Sequence, residues 1–139
     1  MNETQILSKY FKPLARSFED SIGLNDDAAI LKYIDKKNYV ISVDNFISGV
    51  HCPLNLSEDK FIIRSILTAA SDLAAMGAIP HCLFLSLSVP KERKKKIFPK
   101  ITLGIRKALK LTDMRIAGGD LCSYRGPLMS SVTVVGYEN

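Results

Sequence analysis

Near the start of the chain Ile6, Leu7, Tyr10 and Phe11 fall at helical spacing, so residues 1–20 are expected to hold a short amphipathic helix that ends near Pro13. The polar stretch Asp20–Asp27, which contains Gly23 and Asn25, reads as a loop. Two strands are expected after it, Ala28–Ile34 and Asn38–Asp44, joined by the turn Asp35-Lys36-Lys37. In the second, Tyr39, Ile41 and Val43 alternate with Val40, Ser42 and Asp44, which is the period of a strand.

The segment Ser57–Met76 carries the strongest helical signal. Ser57 is placed to cap it, Glu58 and Asp59 suit the positive end of the helix dipole, and Gly77 follows where a helix would stop. Phe61, Ile62, Ile66, Leu67, Ala69, Ala70, Leu73 and Ala74 make a broad apolar face, as on a helix that packs against a sheet. Cys82–Val89 then reads as a strand with Leu83, Leu85, Leu87 and Val89 on one side.

Beyond Pro90, Ile97, Ile101, Ile105 and Leu109 recur every four residues as a helical stripe. Pro99 interrupts it, which predicts a kink or two consecutive helices. Met114–Ala117 and Ser131–Tyr137 are the last expected strands, separated by a loop holding Gly118, Gly119, Gly126 and Pro127. Helices and strands intermingle without a strict alternating repeat, so the expected class is α/β (α+β), a mixed sheet with helices on one face.

The 139 residues are 47% hydrophobic and 24% charged, which is the profile of one globular domain and excludes disordered, collagenous and coiled-coil classes. No apolar run is long enough to cross a bilayer. The opening MNETQILSKYFKPL lacks the continuous apolar stretch of a signal peptide, so a cytoplasmic location and no membrane partner are expected. Cys52, Cys82 and Cys122 are odd in number and far apart, which fits a reducing compartment and three buried or partly buried free thiols.

The net charge of +5 is unevenly spread. Between Lys91 and Lys110 nine basic residues face the single acid Glu92, whereas the rest of the chain has 10 basic and 13 acidic residues. The positive excess therefore belongs to one segment, read as a solvated helix face, with no nucleic-acid partner expected because aromatic residues are not interleaved with the charges beyond Phe98.

Phosphate loops of the G-x-x-x-x-G-K-[ST] type, G-x-G-x-x-G, H-E-x-x-H and G-x-S-x-G are all missing from the sequence. What remains is a set of carboxylates: Asp26 and Asp27 between a polar loop and Ala28-Ala29-Ile30, Asp44 at a strand end, Asp72 in the last turn of a helix, and Asp120 after a Gly-Gly pair. Each alone is a common capping residue. A carboxylate at a helix C-terminus meets the negative end of the dipole, so Asp72 calls for a positive partner. With no Lys or Arg within four residues of Asp26, Asp27, Asp44 or Asp72, a shared hard cation such as Mg²⁺ is the expectation. In phosphoryl transfer such an ion offsets developing charge on the phosphate.

These blocks together resemble a known family. Asp26-Asp27-Ala28-Ala29-Ile30, Val43-Asp44 leading to Gly49-Val50-His51, Ser71-Asp72-Leu73-Ala74-Ala75-Met76-Gly77-Ala78, Gly118-Gly119-Asp120 and Ser131-Val132-Thr133-Val134-Val135-Gly136 stand in the order seen in the N-terminal half of thiamine-monophosphate kinases, in the superfamily of aminoimidazole-ribonucleotide synthetase and selenophosphate synthetase. The resemblance implies an ATP- and Mg²⁺-binding N-terminal domain over residues 1–139, pairing as a homodimer through a barrel-like interface. It also implies transfer of the terminal phosphate of ATP onto thiamine monophosphate. By the same resemblance Asp26, Ser42, Asp44, Asp72 and Asp120 are metal ligands, Gly119 and Asp120 touch the nucleotide, His51 touches the substrate, and Asp27 supports the ligands from behind.

Several positions depart from the family pattern. Asn25 replaces the usual Gly before the Asp pair, a change that a left-handed backbone tolerates; Val43 replaces Thr; Ser48 and Cys52 flank His51 in place of an acidic and an aromatic residue; Leu121 and Cys122 replace small hydroxyl residues. Family members continue into a C-terminal domain, which is absent here and which a separately encoded half could supply. The alternatives are a non-catalytic dimerisation remnant and another ATP-using member of the superfamily.

Overall fold

The computed structural model describes residues 2–32 and 34–138, with the side chains of 93–95 outside the description. Strands Tyr39–Ile47 (β1), Ile79–Pro90 (β2), Arg115–Tyr124 (β3) and Met129–Tyr137 (β4) form a mixed sheet in the order β1-β4-β2-β3. β4 is antiparallel to both β1 and β2, while β3 is parallel to β2. A parallel pair cannot be joined by a tight turn. The crossover between β2 and β3 is a long helix, Lys94–Thr112 (α4), and β1 is joined to β2 by Glu58–Ala75 (α3).

The two helices cover one face of the sheet. On it lie Leu83, Leu85, Leu87 and Val89 from β2, Val132 and Val134 from β4, and Phe61, Ile62, Ile66 and Leu73 from α3, all buried. α3 stops as its sequence predicts: Gly77 takes a left-handed φ of 64°, its N–H reaches Ala74 O, and Ala78 N–H reaches Leu73 O at 2.9 Å. This double closure satisfies carbonyls that the helix end would otherwise orphan.

Several expectations change. Residues 3–15 form one helical stretch in three parts, Glu3–Ile6 (α1), a π-helical turn Leu7–Phe11, and Lys12–Ala15 (α2). Pro13 has no N–H and crowds the preceding turn; the turn before it widens to a π bulge, and the helix resumes around the proline instead of ending there. The predicted strand Ala28–Ile34 is not one; Tyr33 within it lies outside the described residues. Its backbone donors turn to Asp20 instead, Ile30 N–H to the carbonyl and Lys32 N–H to the side chain, both at 2.9 Å. Of the two outcomes expected at Pro99, a kink or two consecutive helices, the second does not occur: α4 runs through the proline, with Ile97, Phe98 and Ile101 buried on both sides of it. Finally, Gly118-Gly119-Asp120 lies inside β3, not in a loop, and Asp44 lies within β1 rather than at its end.

The N-terminal segment ties the two faces together. Ile6 and Phe11 belong to the main core under the helices, whereas Phe18 joins Cys82, Ala117 and Val135 in a second cluster on the opposite face. The chain therefore wraps around the free edge of β3.

Candidate functional site

Where the N-terminal segment passes the β3 edge, a cleft of about 410 Å³ opens, within the usual range for small ligands. Leu7, Phe11 and Leu24 form its apolar wall; Asp26, Asp27, Gly119 and Asp120 bring its polar groups. Two sequence-predicted sets meet here, the Asp pair and the Gly119-Asp120 pair. An extra residue, Ala117, breaks the β2–β3 register between Ile116 and Gly118. At Gly119 a Cβ would stand 2.0 Å from Leu85 O, so only glycine allows the strand to stay paired there.

The Asp pair is carried on a strained turn. Ile22, Gly23 and Leu24 have φ of 51°, 63° and 56°, left-handed conformations that cost about 1–3 kcal/mol each for residues bearing a Cβ. Neighbouring bonds hold the turn: Ser21 Oγ donates to Phe18 O at 2.7 Å and accepts Gly23 N–H at 3.2 Å. Asn25 is not left-handed itself (φ −105°). Its side chain bridges instead, Nδ2 donating to Ile22 O at 3.3 Å and Oδ1 accepting from Lys12 Nζ at 2.6 Å. Asp26 Oδ1 accepts Asp27 N–H at 2.9 Å.

The remaining predicted ligands lie elsewhere. Ser42 on β1 donates to Asp72 Oδ2 on α3 at 2.5 Å. The last turn of α3 has no basic residue, and the protein donor that Asp72 finds is the Ser42 hydroxyl. Asp44, two residues along β1 from Ser42, shares the helix-covered face and a cross-sheet row with Val132, Leu85 and Gly119. Asp120 occupies the next row, with Ser86, Ser131 and Asn45, on the opposite face. β1 and β3 are the two edges of the sheet, three strand spacings or roughly 14 Å apart. The structure thus brings Asp26 together with Asp120 and Ser42 with Asp72, but not all four carboxylates around one point. Among the described residues no three His, Cys, Asp or Glu side chains are placed to hold a metal ion.

That arrangement still suits Mg²⁺ arriving on a phosphate chain. The donors are hard oxygens, and this ion is commonly held by one or two carboxylates, with phosphates and water completing its shell. A bare ion would find too few ligands in either set.

His51 stacks on Phe46 at 5.4 Å, and its Nδ1 accepts Ile47 N–H at 2.9 Å. The neutral ring therefore carries its proton on Nε2, as a donor. Cys52 and Cys82 are buried, and burial pushes the Cys82 thiol up to about 11. Cys122, contrary to expectation, is exposed on the edge strand, 3.2 Å from Ser88 Oγ. On the basic segment Lys91, Lys96, Lys100, Arg106, Lys107 and Lys110 are exposed, with Lys100 Nζ 3.5 Å from Glu58. No helix among the described residues is long and apolar enough to span a membrane.

Sequence reasoning missed the contribution of Leu7, Phe11 and Ser21 to the cleft. Their pattern announces only an amphipathic helix and a loop; the wrap around β3 depends on Phe18 finding the second cluster, which no local signal encodes.

Comparison with known proteins agrees with the fold. Residues 25–137 match the family described as AIR synthase related protein, N-terminal domain. The chain is 34% identical over 138 residues to the thiamine-monophosphate kinase of Buchnera aphidicola subsp. Schizaphis graminum, covering 97% of this chain and 41% of that relative. The crystal structure of thiamine-monophosphate kinase from Stenotrophomonas maltophilia superposes with a TM-score of 0.75 at 32% identity, covering 96% of this chain and 40% of that one. Hydrogenase maturation protein HypE in complex with ATP shares the fold, with a TM-score of 0.82 at 18% identity over 98% of this chain and 40% of that one. The chain spans about two fifths of the length of the relatives it matches.

Proposed function

The chain belongs to the AIR synthase related protein family, whose N-terminal domain it carries, and from that premise we propose that it is the ATP- and Mg²⁺-binding part of a thiamine-monophosphate kinase. The observation that carries the reading is the cleft in which Asp26 and Asp27 face Gly119 and Asp120. The kinase names of relatives near one-third identity support it.

In this reading the nucleotide phosphates lie along β3, where Gly119 and Asp120 line the cleft. Asp26 and Asp120 hold Mg²⁺ from the cleft; Asp44 and Asp72 supply the ligands on the β1 side, with the Ser42 hydroxyl fixing the orientation of Asp72. Bound Mg²⁺ supplies charge neutralisation at the phosphate oxygens in transfer to thiamine monophosphate. Asp27 donates its N–H to Asp26 and so orients that carboxylate. His51, its Nδ1 occupied, presents Nε2–H toward the substrate side.

A homodimer belongs to the same proposal. Ile41 and Val43 are 62% and 60% exposed on the sheet face without helices, and a second copy covering them would remove that apolar surface from water. Catalysis needs the remaining part of the site, which a C-terminal half provides. The test is to mix the chain with a separately produced C-terminal half of a relative, supply ATP, Mg²⁺ and thiamine monophosphate, and assay thiamine diphosphate. Formation that disappears in Asp120→Asn supports the kinase; no product from a stable, nucleotide-binding complex favours the non-catalytic dimerisation module.

A further inference from the structure

Lys12 lies outside every motif that the proposed function uses, yet it reaches the loop bearing the Asp pair. Its Nζ is 2.6 Å from Asn25 Oδ1, one residue before Asp26, and it projects from α2, whose Ala15 is buried in the main core. We propose that Lys12 is a positioning residue that locks the loop 24–29, and with it the Asp26 and Asp27 carboxylates, through the amide of Asn25.

The chemistry of the pair sets the direction of the lock. An ammonium has donors and no acceptor, so only Oδ1 of Asn25 can face it. That orientation turns Nδ2 toward the left-handed turn, where it donates to Ile22 O at 3.3 Å. Asn25 N–H reaches the same carbonyl at 3.3 Å. One carbonyl at the strained residue Ile22 is thereby held twice from Asn25, and the amide doing so is oriented by Lys12. The core-anchored helix and the exposed loop become a single unit. Without Lys12 the amide can flip, placing Oδ1 against Ile22 O, and the turn loses a restraint exactly where its backbone is least favourable.

The effect on the loop does not depend on nucleotide binding, and only its consequence for a ligand rests on the function proposed above. The test compares wild type, Lys12→Met, Lys12→Arg, Asn25→Ala, Asn25→Asp and the Lys12→Met/Asn25→Ala pair. Amide hydrogen exchange is followed without ligand, together with Mg-ADP affinity and thermal midpoint. Exchange at residues 24–29 should rise about five- to tenfold in Lys12→Met and Asn25→Ala, as expected for loss of a charge-assisted bond, with exchange in β4 unchanged. The double variant should be no faster than either single one. Lys12→Arg should restore protection, and Asn25→Asp should not, because it keeps the acceptor for Lys12 but puts a second acceptor against Ile22 O. Mg-ADP affinity should fall by a similar factor in Lys12→Met at an unchanged midpoint. Wild-type exchange in Lys12→Met, or effects that simply add in the double variant, would overturn the proposal. If wild type binds no Mg-ADP, the function proposed above fails, and the exchange comparison still decides the lock.

Discussion

Ser42 and Asp72, thirty residues apart in sequence, meet at 2.5 Å where β1 passes the C-terminal turn of α3. The bond gives a carboxylate at the negative end of a helix a hydroxyl donor. Ser42→Ala should lower stability by about 1 kcal/mol. Asp72→Asn keeps an acceptor for Ser42 and removes the unfavourable charge, so it should hold or raise stability by up to about 1 kcal/mol while weakening Mg-ADP binding by roughly tenfold or more. Urea denaturation and calorimetry on both variants check this opposition of stability and binding.

The two glycines Gly119 and Gly77 should answer differently to alanine. At Gly119 the new Cβ would collide with Leu85 O, and β3 must part from β2; the expected loss is about 3 kcal/mol. At Gly77 nothing lies within 4 Å of the new Cβ, so only the left-handed φ counts, about 1 kcal/mol. Thermal unfolding of Gly119→Ala and Gly77→Ala reads the difference.

His81 makes folding sensitive to acid. Burial, with the Arg115 guanidinium beside it, holds its pKa below the ordinary value, against a smaller opposing pull from Asp20. Arg115 donates to Nδ1 at 3.0 Å, a bond that needs the neutral ring. The unfolded chain then takes up the proton more readily, so this contribution is complete above an unfolded pKa of about 6.5 and is lost as pH falls through and below it. Between about pH 7.5 and about pH 5.5, wild type should lose more stability than His81→Gln, measured by urea midpoints. Equal losses would remove His81 from the explanation.

The part of the sheet face opposite α3 and α4 that stays exposed at Ile41 and Val43 gives a prediction about assembly. Ile41→Asp or Val43→Asp places a charge in the centre of the proposed interface and should convert dimer to monomer in analytical ultracentrifugation, with the circular dichroism of the sheet retained. A wild type that sediments as a monomer at all concentrations would count against pairing through this face.

Much of the helical layer can be read from local signals, because the causes are local. Gly77 after α3 and the four-residue rhythm of Ile97, Ile101 and Ile105 lie within the turns they control, whereas Ser57 stands at the N-cap position of α3 without the side-chain capping bond expected of it. β3 was harder. Gly118-Gly119 has the composition of a turn, and its role as the place where β3 crowds Leu85 O depends on a strand thirty-four residues earlier. Ala28–Ile34 shows the opposite failure, since apolar residues suggest a strand but Asp20 captures its donors. The site divides the same way. The carboxylates stand out in sequence because each lacks a nearby cation, yet which of them meet is set by strand order, and β4 and β2 lie between Asp44 and Asp120.

The most direct test is titration of the isolated chain with Mg-ADP by calorimetry, alongside Asp26→Asn and Asp120→Asn. The cleft at the β3 edge predicts binding by wild type in the millimolar range or tighter, with each variant weaker by roughly tenfold or more. No binding by wild type at millimolar Mg-ADP, or binding that both variants leave unchanged, would contradict the assignment of this cleft to the nucleotide.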